Sequence, residues 1–109
     1  MKVAIVGSRS LTVDNLGDYL PKDTTEIISG GAVGVDSSAK DFALKNNIKY
    51  TEILPQYNKF GKSAPLKRNV EIIKQADFIL IFWDGKSKGT EFVIKTCEKN
   101  AKSFRVLYR

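Results

Sequence analysis

Phe78-Ile79-Leu80-Ile81-Phe82-Trp83-Asp84-Gly85 is the stretch on which the fold turns. Six apolar residues in a row, stopped by Asp-Gly, are too few for a core helix and show no polar alternation. They predict a strand buried on both faces, as in a parallel sheet covered by helices. Val3-Ala4-Ile5-Val6, closed by Gly7, has the same character. Ile27-Ile28 before Ser29-Gly30-Gly31, Lys49 to Leu54 before Pro55, and Phe104 to Tyr108 complete a set of five strands.

Helical periodicity fills the gaps between them. Val35, Ala39, Phe42 and Ala43 share one face, as do Leu66, Val70 and Ile73 after Pro65, a residue suited to a helix start. Val93, Ile94, Cys97 and Ala101 form another stripe, and Asn15 to Leu20 a weak helix limited by Gly17 and Pro21. Gln56 to Ala64 reads as a polar, flexible connection. Strands alternating with helices predict an α/β protein: a three-layer Rossmann-like fold, its five-stranded sheet mainly parallel, with helices on both faces.

With 109 residues the chain suits a single domain over residues 1–109, with no second substrate domain. Eighteen Lys and Arg against twelve Asp and Glu give a net charge of +6. The absence of histidine excludes Ser-His-Asp and Cys-His catalysis and His-based zinc sites. The one cysteine, Cys97, can form no internal disulfide and no metal cluster, so it reads as a small buried hydrophobe; no metal and no cofactor are expected. No apolar run spans a bilayer, and Ser8, Arg9, Ser10, Asp14 and Asn15 interrupt any signal-peptide core after Met1. A cytoplasmic protein without a membrane partner is the expectation.

Ligands of open parallel sheets bind beyond the carboxyl ends of the strands, near the point where strand order reverses. Three segments there are rich in glycine and hydroxyl groups: Gly7-Ser8-Arg9-Ser10, Ser29-Gly30-Gly31-Ala32-Val33-Gly34-Val35-Asp36, and Asp84-Gly85-Lys86-Ser87-Lys88-Gly89-Thr90-Glu91. Such loops let backbone N–H groups and the positive end of a following helix meet an anion. A dinucleotide fingerprint fits less well. Ser29-x-Gly31-x-x-Gly34 lacks the first glycine and follows the second strand, although Glu52 lies at a suitable distance. No G-x-x-x-x-G-K-[ST] loop is present.

Taken in order, Gly7-Ser8-Arg9, Ser29-Gly30-Gly31-Ala32-x-Gly34-x-Asp36-x-x-Ala39, Ala64-Pro65-Leu66-x-Arg68-Asn69 and Phe82-Trp83-Asp84-Gly85-x-Ser87-x-Gly89-Thr90 resemble the SLOG superfamily of Rossmann-like domains. The nearest resemblance is to its small YspA- and YpsA-related branch. More distantly, the chain is similar to the LOG phosphoribohydrolases, which cleave an N-glycosidic bond in nucleoside monophosphates, and to DprA-type DNA-processing proteins, which bind single-stranded DNA. The resemblance implies a pocket for a nucleotide or nucleotide-derived ligand, built around the double-glycine loop and the Gly-Thr turn. The phosphoribohydrolases carry a catalytic Glu about three residues beyond the Thr of that turn. Here position 93 is Val, and Glu91 directly follows Thr90.

The expected ligand-binding set is Gly7, Ser8 and Arg9, then Ser29, Gly30, Gly31, Gly34 and Asp36, then Arg68 and Asn69, and finally Ser87, Gly89 and Thr90. Glycines and hydroxyls would cradle phosphate, Arg9 and Arg68 would neutralise it, and Asp36 would accept from sugar hydroxyls. Asp36 equally suits complementing a helix dipole. Trp83 suits either the core or a base. Binding as a sensor, carrier or processing protein is the first reading. The second is N-glycosidic hydrolysis with Glu91 or Asp84 as the catalytic carboxylate.

The third reading is single-stranded nucleic-acid binding, a less favoured partner. It draws on Lys59, Lys62, Lys67, Arg68 and Lys74 against Glu71, with Tyr57 and Phe60 for stacking, and on the basic tail from Lys95 to Arg109. A homodimer is an expectation resting on Phe92 and Ile94 as an uncovered helix face.

Overall fold

Residues Phe78–Trp83 form an interior strand of a five-stranded sheet in the computed structural model, which describes residues 1–109. In chain order the elements are β1 (Lys2–Gly7), β2 (Glu26–Ser29), α1 (Val35–Lys45), β3 (Lys49–Glu52), α2 (Tyr57–Phe60), α3 (Ala64–Gln75), β4 (Phe78–Trp83), α4 (Lys88–Lys99) and β5 (Phe104–Tyr108). The sheet order is β3-β2-β1-β4-β5, and every neighbouring pair is parallel. The fold is the expected three-layer, Rossmann-like α/β arrangement.

Alternation along the central strands divides the core in two, because successive side chains point to opposite faces. Val3, Ile5, Ile27, Leu80 and Phe82 pack with Val35, Ala39 and Ala43 of α1 and with Val13 and Leu16. Ala4, Val6, Ile28, Ile79 and Ile81 pack on the other face with Ile72 and Ile73 of α3 and Val93 and Cys97 of α4. Cys97 is thus a core residue. Gly7 is needed where α1 crosses the sheet: a Cβ there would lie 2.6 Å from both the Phe82 carbonyl oxygen and a Val35 methyl.

Four local expectations differ from the structure. Asn15–Leu20 holds only a three-residue 3-10 turn, Leu16–Asp18, because Gly17 and Pro21 leave too little chain to nucleate an α-helix. β3 ends at Glu52 rather than Leu54, since its neighbour β2 ends at Ser29 and pairing stops there. The polar stretch after Pro55 forms α2 and a 3-10 turn, Gly61–Ser63, running directly into α3. The buried stripe of α3 is Ala64, Asn69, Ile72 and Ile73, which leaves Leu66 exposed and Val70 half-buried. Phe92 and Ile94 are each half-buried, and Ile94 packs against the second core.

Candidate functional site

The connections from β1 lead to one side of the sheet and those from β4 to the other, so strand order reverses between these two neighbours. Beyond their carboxyl ends lies a cleft of about 420 Å³. Gly7, Arg9 and Ser10 line it from β1. Ala32 and Asp36 come from the β2–α1 loop, Pro65, Leu66, Arg68 and Asn69 from α3, and Asp84, Ser87, Gly89 and Thr90 from the β4–α4 turn.

The β4–α4 turn is built by Asp84. Its Oδ1 accepts from the backbone N–H groups of Lys86 (2.8 Å) and Ser87 (2.9 Å), and its Oδ2 accepts from Ser10 Oγ (2.9 Å). These bonds favour the charged form and hold the carboxyl down at about 2. Asp84 is therefore fully ionised at neutral pH and a weak base. Ser87 caps α4: its Oγ accepts from Thr90 N–H at 3.4 Å and lies 3.1 Å from Thr90 Oγ1. Trp83 braces the same turn, its Nε1 donating to the Ser87 carbonyl at 3.0 Å while its ring lies against Tyr108. The first intrahelical bond here runs from Glu91 N–H to Ser87 carbonyl, so the N–H groups of Lys88 and Gly89 precede the helical ladder. Gly89 is open: a Cβ built there meets nothing within 4 Å.

Across the cleft, the β2–α1 loop and α3 are tied together by Arg68. Its Nη1 donates to the Gly30 carbonyl at 2.6 Å and its Nε to Asn69 Oδ1 at 2.8 Å. A Cβ at Gly30 would lie 2.5 Å from Nη1, so a larger residue there would displace the guanidinium from this position. Burial lowers the Arg68 pKa, with the charge of Asp36 opposing the shift. Asp36 is itself buried, which raises its pKa; the N–H of Ala32, donating to Oδ2 at 3.1 Å, pulls the other way, as does Arg68. Arg68 and Asp36 are close enough to feel each other without forming an ion pair.

Nine of the residues singled out in the sequence line the cleft: Gly7, Arg9, Asp36, Arg68, Asn69, Asp84, Ser87, Gly89 and Thr90. Five others form its supporting wall instead. Ser8 is buried and clamps the ends of β1 and β4, donating its N–H to the Phe82 carbonyl and accepting from Asp84 N–H at 3.1 Å. Gly34, with φ of +80°, passes against the Arg9 backbone; Gly31, with φ of +73°, turns past Glu52 and Leu54. Gly30 lies under Arg68, and Ser29 is fully buried with no hydrogen-bond partner for its Oγ.

Glu91 does not line the cleft, and it pairs with Lys95 at 3.4 Å along α4. Ser10 and Ala32 line it without having been singled out; both stand inside the quoted loop segments, which was the available signal. No group of three His, Cys, Asp or Glu is placed to hold a metal ion. No helix is long and apolar enough to cross a membrane.

No curated protein and no solved structure matches the chain significantly. Residues 1–95, which carry β1 to β4 and every cleft-lining residue, match the family described as DNA recombination-mediator protein A. On a match of that extent over this cleft, the chain belongs to the DNA recombination-mediator protein A family.

Proposed function

We propose that the cleft binds a nucleotide or nucleotide-derived ligand through its phosphate, in a single ligand-binding domain acting in the cytoplasm. The observation that carries this reading is the first turn of α4. Gly89, whose N–H precedes the helical ladder and whose Cα is unobstructed, lines one hollow with Ser87, Thr90, Arg9 and Arg68. A helix N-terminus with added cations is suited to phosphate. Asp36 and Asn69, on the opposite wall, supply an acceptor and an amide for sugar hydroxyls or a base edge.

Binding is preferred over N-glycosidic hydrolysis. Asp84 is committed to its turn and is a weak base, and Glu91 lies outside the cleft. Family membership favours a second reading, in which the phosphate belongs to a single-stranded nucleic acid.

Thermal unfolding in the presence of nucleoside mono-, di- and cyclic phosphates tests the first reading. A ligand at 100 times its Kd stabilises by about 2.7 kcal/mol. Arg68→Ala should abolish that shift. If no mononucleotide shifts the midpoint while oligothymidylate binds with steep salt dependence, the second reading replaces the first. Release of free base from a nucleoside monophosphate would restore the hydrolytic one.

A further inference from the structure

A second hollow, of about 540 Å³, lies beside the cleft between the segment after β3, α2 and the outer face of α3. Its apolar lining is Ile53, Leu54, Ala64 and Val70 beside Phe60, and Leu54 is 57% exposed. Single exposed leucines are ordinary, but an apolar lining in a concave surface marks a place for an apolar group. Its rim carries Lys59, Lys67 and Lys74, with Glu71 the one acid lining it. None of these lysines has a carboxylate within ion-pair distance; the pairs in the molecule are Lys49–Glu26 and Lys95–Glu91. Lys59 and Lys67 rest instead over the Phe60 ring, 5.2 and 5.8 Å from its centre. The groove therefore combines unpaired positive charge with an uncovered apolar lining.

We propose that this groove docks an acidic peptide segment of a partner protein. An apolar side chain of that segment rests on Leu54, Phe60 and Val70, and its carboxylates meet Lys59, Lys67 and Lys74. The volume suits a short anchor rather than a whole domain face. Nucleic acid fits this groove less well, because base stacking needs an open aromatic face: Phe60, the aromatic that lines the hollow, lies beneath two ammonium groups, and the exposed Tyr57 lines a neighbouring hollow instead. A second copy of this chain fits less well again, since it carries a net charge of +6 and would bring like charge to the rim. The inference does not depend on what the cleft binds, as the two hollows share only Arg68.

Fluorescence anisotropy with a short labelled peptide of Asp and Glu carrying one Leu and one Phe tests it. Two probes are run beside it: the same peptide with Ser at both apolar positions, and an oligothymidylate of equal charge. The first peptide should bind saturably. Binding should be roughly tenfold weaker to the double variant Lys67→Glu, Lys74→Glu and to Leu54→Ser, with unfolding midpoints unchanged. None of these three residues lines the cleft, so nucleotide-induced thermal shifts should persist in both variants. Absence of saturable binding, or equal binding by the Ser peptide, overturns the proposal. Tighter oligothymidylate binding that is lost in the double variant also overturns it, and assigns the groove to nucleic acid.

Discussion

Gly89 and Gly34 stand at the same cleft under opposite steric constraints. Gly34 adopts φ of +80° and ψ of −124°, a region essentially closed to other residues, with the Arg9 backbone against it. Gly34→Ala should cost about 3 kcal/mol or more, read by urea unfolding. Gly89 has no such excuse: it sits in a helix, where glycine costs about 0.5–1 kcal/mol relative to alanine, and faces open space. Gly89→Ala should stabilise the free protein by up to about 0.5 kcal/mol and weaken nucleotide binding, measured by the loss of ligand-induced thermal shift. Stabilisation with undiminished binding would remove the α4 turn from the site.

Asp36 makes a separate residue-scale prediction. Burial raises its folded-state pKa above the ordinary 3.8, so the folded protein holds more protons than the unfolded chain between those values. Stability falls as pH rises through that window. Asp36→Asn should lose this pH-dependent fall, so its stability relative to the wild type should rise as pH is raised from below about 4 toward neutrality, in unfolding curves measured across that range.

Among the elements, α3 and α4 are held to the site by few, identifiable contacts. Ser87→Ala removes the α4 cap and should cost about 0.5–1 kcal/mol, since the Ser87–Thr90 bond is long at 3.4 Å. Arg68→Lys keeps the charge but not the planar fork that reaches both the Gly30 carbonyl and Asn69. It should lose about 1–2 kcal/mol and increase amide exchange in residues 30–34, which a purely electrostatic role would leave unchanged. The helices also show where sequence reading stops. Pro65 marks the start of α3, but its apolar periodicity points to Leu66 and Val70, whereas packing turns Asn69 and Ile72 inward. Likewise Glu91 is adjacent in sequence to Thr90, yet a rotation of about 100° per residue carries it out of the cleft.

At the scale of the molecule, β5 covers one side of β4 through the register Ile79–Phe104 to Trp83–Tyr108. The family match ends at residue 95, before this strand begins. Removing residues 101–109 would expose the hydrogen-bonding edge of the most apolar strand in the chain. Such a truncation is expected to aggregate or lose cooperative unfolding; a monomeric product with an unchanged midpoint would show that β5 is dispensable.

The apolar runs Val3–Val6 and Phe78–Trp83 determined by themselves that this chain forms a parallel sheet between helices, because only burial on both faces tolerates them. The glycine-rich loops likewise announced which edge of that sheet would hold a cleft. Only the tertiary structure decided which loop residues face the cleft and which support it. Ser8, Gly30 and Gly34 have the same local signature as Gly89, and what separates them is contact with Phe82, Arg68 and Arg9, residues distant in the chain. Those contacts arise from the order in which the strands pair, and no local pattern of side chains encodes that order.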